Sequence, residues 1–408
     1  MRVLYSFPHK IGAARICYTA WEQVRGLAAA GAEVTAMPGV VSRTLPGNVN
    51  VRPTLARGKV RIPYKLLGRM GACVLHDRIV ARRLQGMAGE VDIVHCWPLG
   101  SLETLKTAKR LGIPAVLERP NAHTRLCYET VAEECRRIGV SMPHHDYKPD
   151  EKVLAREEQE FELAFRLLCP SGFTARSFLD RGFSSEKLLR HTYGFDESAF
   201  VPDLSNRRES EKFTALFVGV DAVRKGLHLA LEAWLSSPAS HDGQLLVAGE
   251  LSAEYKERFA KELGHASVRL LGHRNDVPEL MRKSDILLMP SLEEGFGLVC
   301  VEAIGSGCVP LASNACTDVC QHMHNSLVHE VGDVRTLQKH ITMLYQDRSL
   351  LGELRQTCIR ERTGLTWTVA GKKLFSVYET AIAQHAAFDT ENANVSHTLI
   401  SAGTRSAD

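Results

Sequence analysis

The sequence has no long apolar run. Over 408 residues, no stretch approaches the roughly 18 uninterrupted apolar residues of a spanning helix. Nor does it open on a secretion signal: "MRVLYSFPHK" has no long apolar core and no small-residue cleavage site. A disulfide framework is missing as well. The eleven cysteines are odd in number and scattered through apolar runs such as "VHCWP" and "LLCPS", which suggests reduced, buried thiols. These absences predict a cytoplasmic protein, with a peripheral contact at the inner membrane surface left open. Excess charge of one sign is absent too. The formal net charge is +3, and no basic stripe is interleaved with aromatics, so no nucleic-acid role is expected. Finally, there is no G-x-G-x-x-G fingerprint and no repeat of short fixed period.

One cluster of metal-competent side chains occurs, Cys316, Cys320, His322 and His324 in "ACTDVCQHMH". Its spacing matches no common zinc pattern, so an ordinary helix start is expected there and no metal site.

Short apolar strands alternate with amphipathic helices along most of the chain: "VLYSF", "EVTAM", "VDIVHC", "PAVLE" and "FRLLCPS", then "KFTALFVGV", "QLLVAGE", "VRLLG" and "DILLMPS". Strands this apolar predict parallel sheets covered on both faces, hence an α/β protein of two doubly wound, Rossmann-like domains in series. The polar, turn-rich stretch "HTYGFDESAFVPDLSNRRESEKF" marks the boundary. The expected divisions are 1–200, 201–365, a helix over 366–388 and a disordered tail over 389–408. In such sheets ligands bind where strands end and helices begin.

Four strand-end loops carry candidate chemistry. "SFPHKIGAAR" places Gly12 before a helix, where a small residue lets backbone approach phosphate. "LERPNAHTRLCYE" supplies His123, able to donate to a sugar hydroxyl or phosphate oxygen; His95 is a rival at another strand end. "VGVDAVRKGLHLALEAW" puts Arg224 and Lys225 at a helix start. That is the unfavourable end for cations, so an anion is needed to explain them. "EEGFGLVCVE" sets Glu294 before a helix expected to begin near Gly297. The amides of Phe296, Gly297 and Leu298 face outward, and Glu302 lies more than a turn further in. Two carboxylates there suit the hydroxyls of a sugar and a ribose.

These motifs, in this order, resemble the family 4 retaining glycosyltransferases of the GT-B fold over about residues 1–385. "EGFGLVCVE" with "GSGCVPLAS" is similar to the family's E-x7-E segment, "YGFDESAFVP" to its linker, "RKG" to its diphosphate-binding motif and "LLGHRNDVPELMRKSDILLMPS" to its base-reading loop. The resemblance implies a metal-independent enzyme without cofactor, transferring a sugar from a UDP- or GDP-linked donor. It implies catalytic roles for His123, Glu294, Arg224 and Lys225. Glu302 would hold the ribose, the loop His273, Arg274 and Asn275 would read the base, and Gly12 would sit at the diphosphate. Asp318 stands where the family usually has Glu.

The acceptor is unidentified: a glycan, a lipid-linked sugar or a small molecule. The stretch Arg52 to Arg83 holds nine Lys or Arg and one acid, which suggests contact with an anionic membrane or acceptor. The alternatives are a nucleotide-sugar 2-epimerase of the same fold and a silent sugar-nucleotide binding module.

Overall fold

The computed structural model describes residues 1–57, 60–62, 64–142, 150–203 and 212–403. The first domain is built on β1 (Arg2–Ile11), β2 (Glu33–Val41), β3 (Asn50–Val51), a small hairpin of β4 (Ala56–Arg57) and β5 (Val60–Arg61), then β6 (Ile93–Cys96), β7 (Ala115–Glu118), β8 (Arg166–Cys169) and β9 (Leu188–Arg190). Apart from the hairpin they form one sheet in the order β3-β2-β1-β6-β7-β8-β9, parallel throughout. Helices α1 (Ile16–Ala29), α2 (Tyr64–Gln85), α3 (Leu102–Arg110), α4 (Thr124–Ile138), α5 (Glu151–Leu163) and α6 (Gly172–Leu179) join the strands.

Alternation along β1 explains why both faces are covered. Val3, Tyr5 and Phe7 join α1 in one core, whereas Leu4 joins α2, α3 and α5 in another.

The second sheet runs β12-β11-β10-β13-β14-β15, also parallel. Its strands are β10 (Thr214–Val218), β11 (Gln244–Ala248), β12 (Val268–Gly272), β13 (Ile286–Met289), β14 (Val309–Ser313) and β15 (Leu327–His329). Around it lie α7 (Leu227–Leu235), α8 (Ala253–Arg258), α9 (Ala260–Leu263), α10 (Val277–Lys283), α11 (Leu298–Ser306), α12 (Val334–Gln346) and α13 (Arg348–Glu361). Strand order reverses between β10 and β13, so the loops after these two strands flank the crevice where such sheets bind ligands.

Two crossings tie the domains. The chain leaves the first domain after β9 and returns at Thr366, where Phe195 and Thr366 form a bridge. The last helix, α14 (Trp367–Gly403), then packs on α1 of the first domain. Contact is backbone to backbone: a Cβ at Gly371 would lie 2.4 Å from the Cα of Gly26. Helix continues through 389–403, where a disordered tail was expected. From 389 to 402 no proline or glycine stops it.

Helix α4 also bridges the domains. Its Val131, Cys135 and Ile138 enter the second domain's core, and Glu134 bonds His228 of α7 at 2.5 Å.

The basic stretch 52–83 is only partly described; Lys59 lies outside the described residues. Gly68, at φ 65°, kinks α2. Beyond it the helix is packed rather than free. His76, Asp77 and Val80 are buried, and Asp77 accepts the N–H groups of Glu103 and Thr104, each at 2.9 Å, at the start of α3.

Candidate active site

The loop after β10 folds back on itself. Lys225 donates its N–H to the carbonyl of Asp221 at 2.8 Å, and Gly226 turns the chain into α7 at φ 70°. No side chain fits at Gly226, because a Cβ there would sit 2.1 Å from the carbonyl oxygen of Pro290. Such close contact presses this loop onto the end of β13. The N–H of Leu292 donates to the carbonyl of Arg224 at 2.9 Å and locks the two loops together.

That junction brings the predicted cations and the first predicted acid into contact. The Lys225 ammonium pairs with Glu294 Oε1, and Arg224 Nη1 reaches the same oxygen at 3.2 Å. Lys225 and Glu294 are both buried. Burial pushes the Glu294 carboxyl up, but Lys225 and then Arg224 outweigh it and hold the group below its ordinary range. The backbone amide of Gly297 adds a smaller effect in the same direction. Gly297 at φ 73° is the residue before α11, which starts at Leu298. Phe296 turns inward, edge-on to Tyr193 at 5.3 Å.

Glu302 sits in the second turn of α11, partly exposed, with the Lys225 charge nearby. Burial raises its carboxyl to about 7, and Lys225 only partly offsets this. The loops after β10, β11 and β12 touch through glycine backbone. A Cβ at Gly249 would lie 1.7 Å from the oxygen of Gly219, and Gly249 N–H donates to Gly272 at 2.8 Å. His273, Arg274 and Asn275 follow Gly272 as an exposed loop, in which Arg274 pairs with Asp276.

On the first domain the placements differ. Gly12 makes a tight turn at φ 80°, pressed against Arg43. His95 is a core residue, stacked on Tyr5 at 4.3 Å and bonded to the Tyr378 hydroxyl at 2.6 Å. His123 is the N-cap of α4, its Nδ1 accepting from the Arg125 N–H at 3.3 Å. Its ring is packed among Phe161, Phe178 and Phe183, and makes no hydrogen bond to Arg224, Lys225 or Glu294. Burial, with Arg119 and Arg181 nearby, pulls the imidazole down to about 4, so it is neutral at neutral pH. The structure therefore does not bring His123 into the cation–carboxylate cluster, although its loop adjoins it: Gly295 lies on the backbone of Pro120.

Two contacts escaped the sequence. Glu293, 1% exposed, accepts from Arg224 Nη1 at 3.3 Å and from the Cys127 thiol of α4 at 3.1 Å, so it fixes Arg224 and spans the domains at once. The doublet "EE" was its only signal, and spacing alone cannot tell what the first acid pairs with. Asp318 is the second. It accepts the Gly172 N–H at 2.7 Å and pairs with Arg190, a clasp from the second domain to the first.

The expected helix start at 316–324 is instead a series of turns with a short bridge. Its four side chains diverge. Cys316 and Cys320 enter the core, His322 Nδ1 accepts from the Val328 N–H and His324 pairs with Glu361. Among the described residues no cluster of His, Cys, Asp or Glu could hold a metal ion. All eleven cysteines are free thiols, and no described helix is long and apolar enough to cross a membrane.

Residues 204–363 match the family described as Glycosyl transferases group 1. Over 163 residues the chain is 32% identical to the lipopolysaccharide glucosyltransferase WaaG of Escherichia coli K12, covering 39% of this chain and 39% of that protein. The chain thus spans about two fifths of this curated relative. Among solved structures, a sucrose-phosphate synthase of Thermosynechococcus elongatus superposes with TM-score 0.67 at 17% identity, covering 94% of this chain and 99% of that one. HepE of Anabaena in complex with UDP superposes with TM-score 0.64 at 15% identity, covering 93% of this chain and 100% of that one. Residues 204–363, in the second domain, thus resemble the group 1 glycosyl transferases, and the paired parallel-sheet architecture of the whole chain is the GT-B fold.

Proposed function

We propose that the protein transfers a hexose or related sugar from a nucleoside diphosphate sugar to an acceptor hydroxyl, with retention at the anomeric carbon. One observation carries this reading: Arg224 and Lys225 converge on Glu294 where two strand-end loops meet. A donor diphosphate would take the two cations, and the sugar hydroxyls would take the carboxylate so released. As the bond from the anomeric carbon to the β-phosphate oxygen breaks, its electron pair stays on that oxygen. Arg224 and Lys225 stabilise the growing charge, an effect that is usually the largest catalytic contribution. The acceptor oxygen bonds to the same face of the carbon, and its proton passes to the departing phosphate. His123 orients rather than carries protons.

Arg224 and Lys225 supply the positive charge that a metal ion would otherwise bring, so the reaction is expected to survive chelation. HepE was solved with UDP, which favours a uridine nucleotide here. The matches are to transferases and give the 2-epimerase alternative no support. Incubation with UDP- and GDP-sugars, followed by analysis of both nucleotide and sugar, tests the reading. Release of free nucleoside diphosphate with an α-linked product from an α-linked donor supports it, whereas an altered epimer of the donor with no transfer overturns it. We further propose that the basic stretch 52–83 meets an anionic membrane surface or a phosphorylated lipid-linked acceptor. Exposed Ile62 and Leu67 lie among its cations.

A further inference from the structure

A cavity of about 360 Å³ lies against both crossings between the domains, apart from Lys225 and Glu294. Its walls come from Trp21, Glu22 and Arg25 on α1, from Arg43 after β2, from Asp196 on the outgoing crossing and from Trp367 on the return.

The lining is mixed in charge and rich in rings. Arg25 and Arg43 stand over the Trp21 ring, at 4.6 and 4.8 Å from its centroid. Arg25 is engaged by Glu22 at 2.8 Å, and Asp196 accepts from Ser198. Arg43 is different. It stacks on Trp21 and Tyr18 but forms no hydrogen bond with any described residue, so its donors face the cavity and solvent unclaimed.

A charged ligand would gain from one part of this lining and lose to the other, since two guanidinium groups face Glu22, Asp196 and Glu197. A neutral polyol loses nothing. Each hydroxyl both donates and accepts, so guanidinium and carboxylate groups are equally useful to it. The rings of Trp21, Tyr18 and Trp367 offer apolar surface for the C–H faces of a pyranose, and the volume falls within the usual range of small-molecule sites.

We propose that this cavity is a second, non-catalytic site that binds an uncharged saccharide of one or two hexose units. It goes beyond the transfer reaction, because none of the residues assigned to the donor lines it. Arg43 donates to ring or exocyclic hydroxyls, and Asp196 and Glu22 accept from them.

Two of the four tryptophans, Trp21 and Trp367, line the cavity, so intrinsic fluorescence of the full chain reports its occupancy. Titration with galactose, N-acetylglucosamine and maltose is expected to give a saturable change with at least one of them. Arg43→Ala, at an exposed position and therefore compatible with folding, is expected to weaken binding by about tenfold or more, the scale of losing a charge-assisted hydrogen bond. Asp196→Asn is a second variant with the same expectation. UDP affinity, measured on the same samples, is expected to stay unchanged in both, which separates this site from the donor site. The proposal is overturned if no neutral sugar gives a saturable change, or if both variants respond like the wild type. It is equally overturned if glucose 6-phosphate binds more tightly than every neutral sugar. A response abolished by Glu294→Gln but kept in Arg43→Ala would place the sugar in the donor cleft and sink the idea.

Discussion

Lys225 and Glu294 form a buried ion pair across the junction of two strand-end loops, one opening α7 and the other α11. An ammonium held at a helix start, against the dipole, is retained there by this carboxylate. Lys225→Ala is expected to lower turnover by about 10²-fold or more at saturating donor, the scale of losing one preorganised charge donor. The substitution also leaves Glu294 with Arg224 alone, so thermal stability should be checked alongside. An unchanged turnover number would show that the pair does not serve the diphosphate.

Glu294→Gln tests the other half of the pair. The amide keeps hydrogen-bonding capacity but loses the charge that accepts from hydroxyls. Discrimination between donor sugars is expected to weaken more than affinity for free nucleoside diphosphate. Equal losses for UDP and UDP-sugar, measured by calorimetry, would remove Glu294 from the sugar's contacts.

Glu302 predicts a pH dependence. Its carboxyl is raised from 4.5 to about 7, mainly by burial, so the folded chain holds a proton that the unfolded chain has lost between these values. Stability contributed here is therefore greatest below about pH 4.5 and falls as pH rises to about 7. Binding should run the opposite way, because the ionised form accepts ribose hydroxyls best. Nucleoside diphosphate affinity is expected to rise between pH 6 and pH 8, and Glu302→Gln to flatten that rise. A profile identical in the variant would detach the effect from this group.

Gly371 meets Gly26 with no room for a side chain on either. Gly371→Val is expected to destabilise the protein by about 1–3 kcal/mol through overpacking, lowering the urea midpoint while the second domain's core stays intact. Wild-type stability in this variant would mean that α14 docks elsewhere in solution.

The basic stretch 52–83 predicts salt-sensitive attachment to anionic vesicles, since each cation near such a surface contributes about 1 kcal/mol and screening weakens it. Replacing Lys59, Arg61, Lys65 and Arg69 together by Gln is expected to abolish flotation. If wild-type protein never floats, a soluble acceptor becomes the better reading.

Much was legible in the sequence by itself. Buried parallel strands leave long apolar runs, so both sheets, their order of appearance and the crossing near Phe195 could be read from hydrophobic pattern and turn residues. That Arg224, Lys225 and Glu294 lie on one edge was legible too, because strand-end loops of one parallel sheet must open on the same edge; their pairing was not.

Tertiary structure alone decided the rest. A sequence cannot tell that Glu293 is buried beside Glu294, since its partners include the Cys127 thiol that α4 delivers from another domain. Nor can it tell that His123 caps α4, packed by phenylalanines that arrive from residues 161 to 183. Nor does the run of cations over 52–83 tell that Gly68 takes a positive φ inside α2, or that the buried Asp77 accepts from the start of α3. The physical reason is common to all three. Periodicity and propensity are local and are written in neighbouring residues, whereas the direction of a side chain is settled by what packs on it from far along the chain.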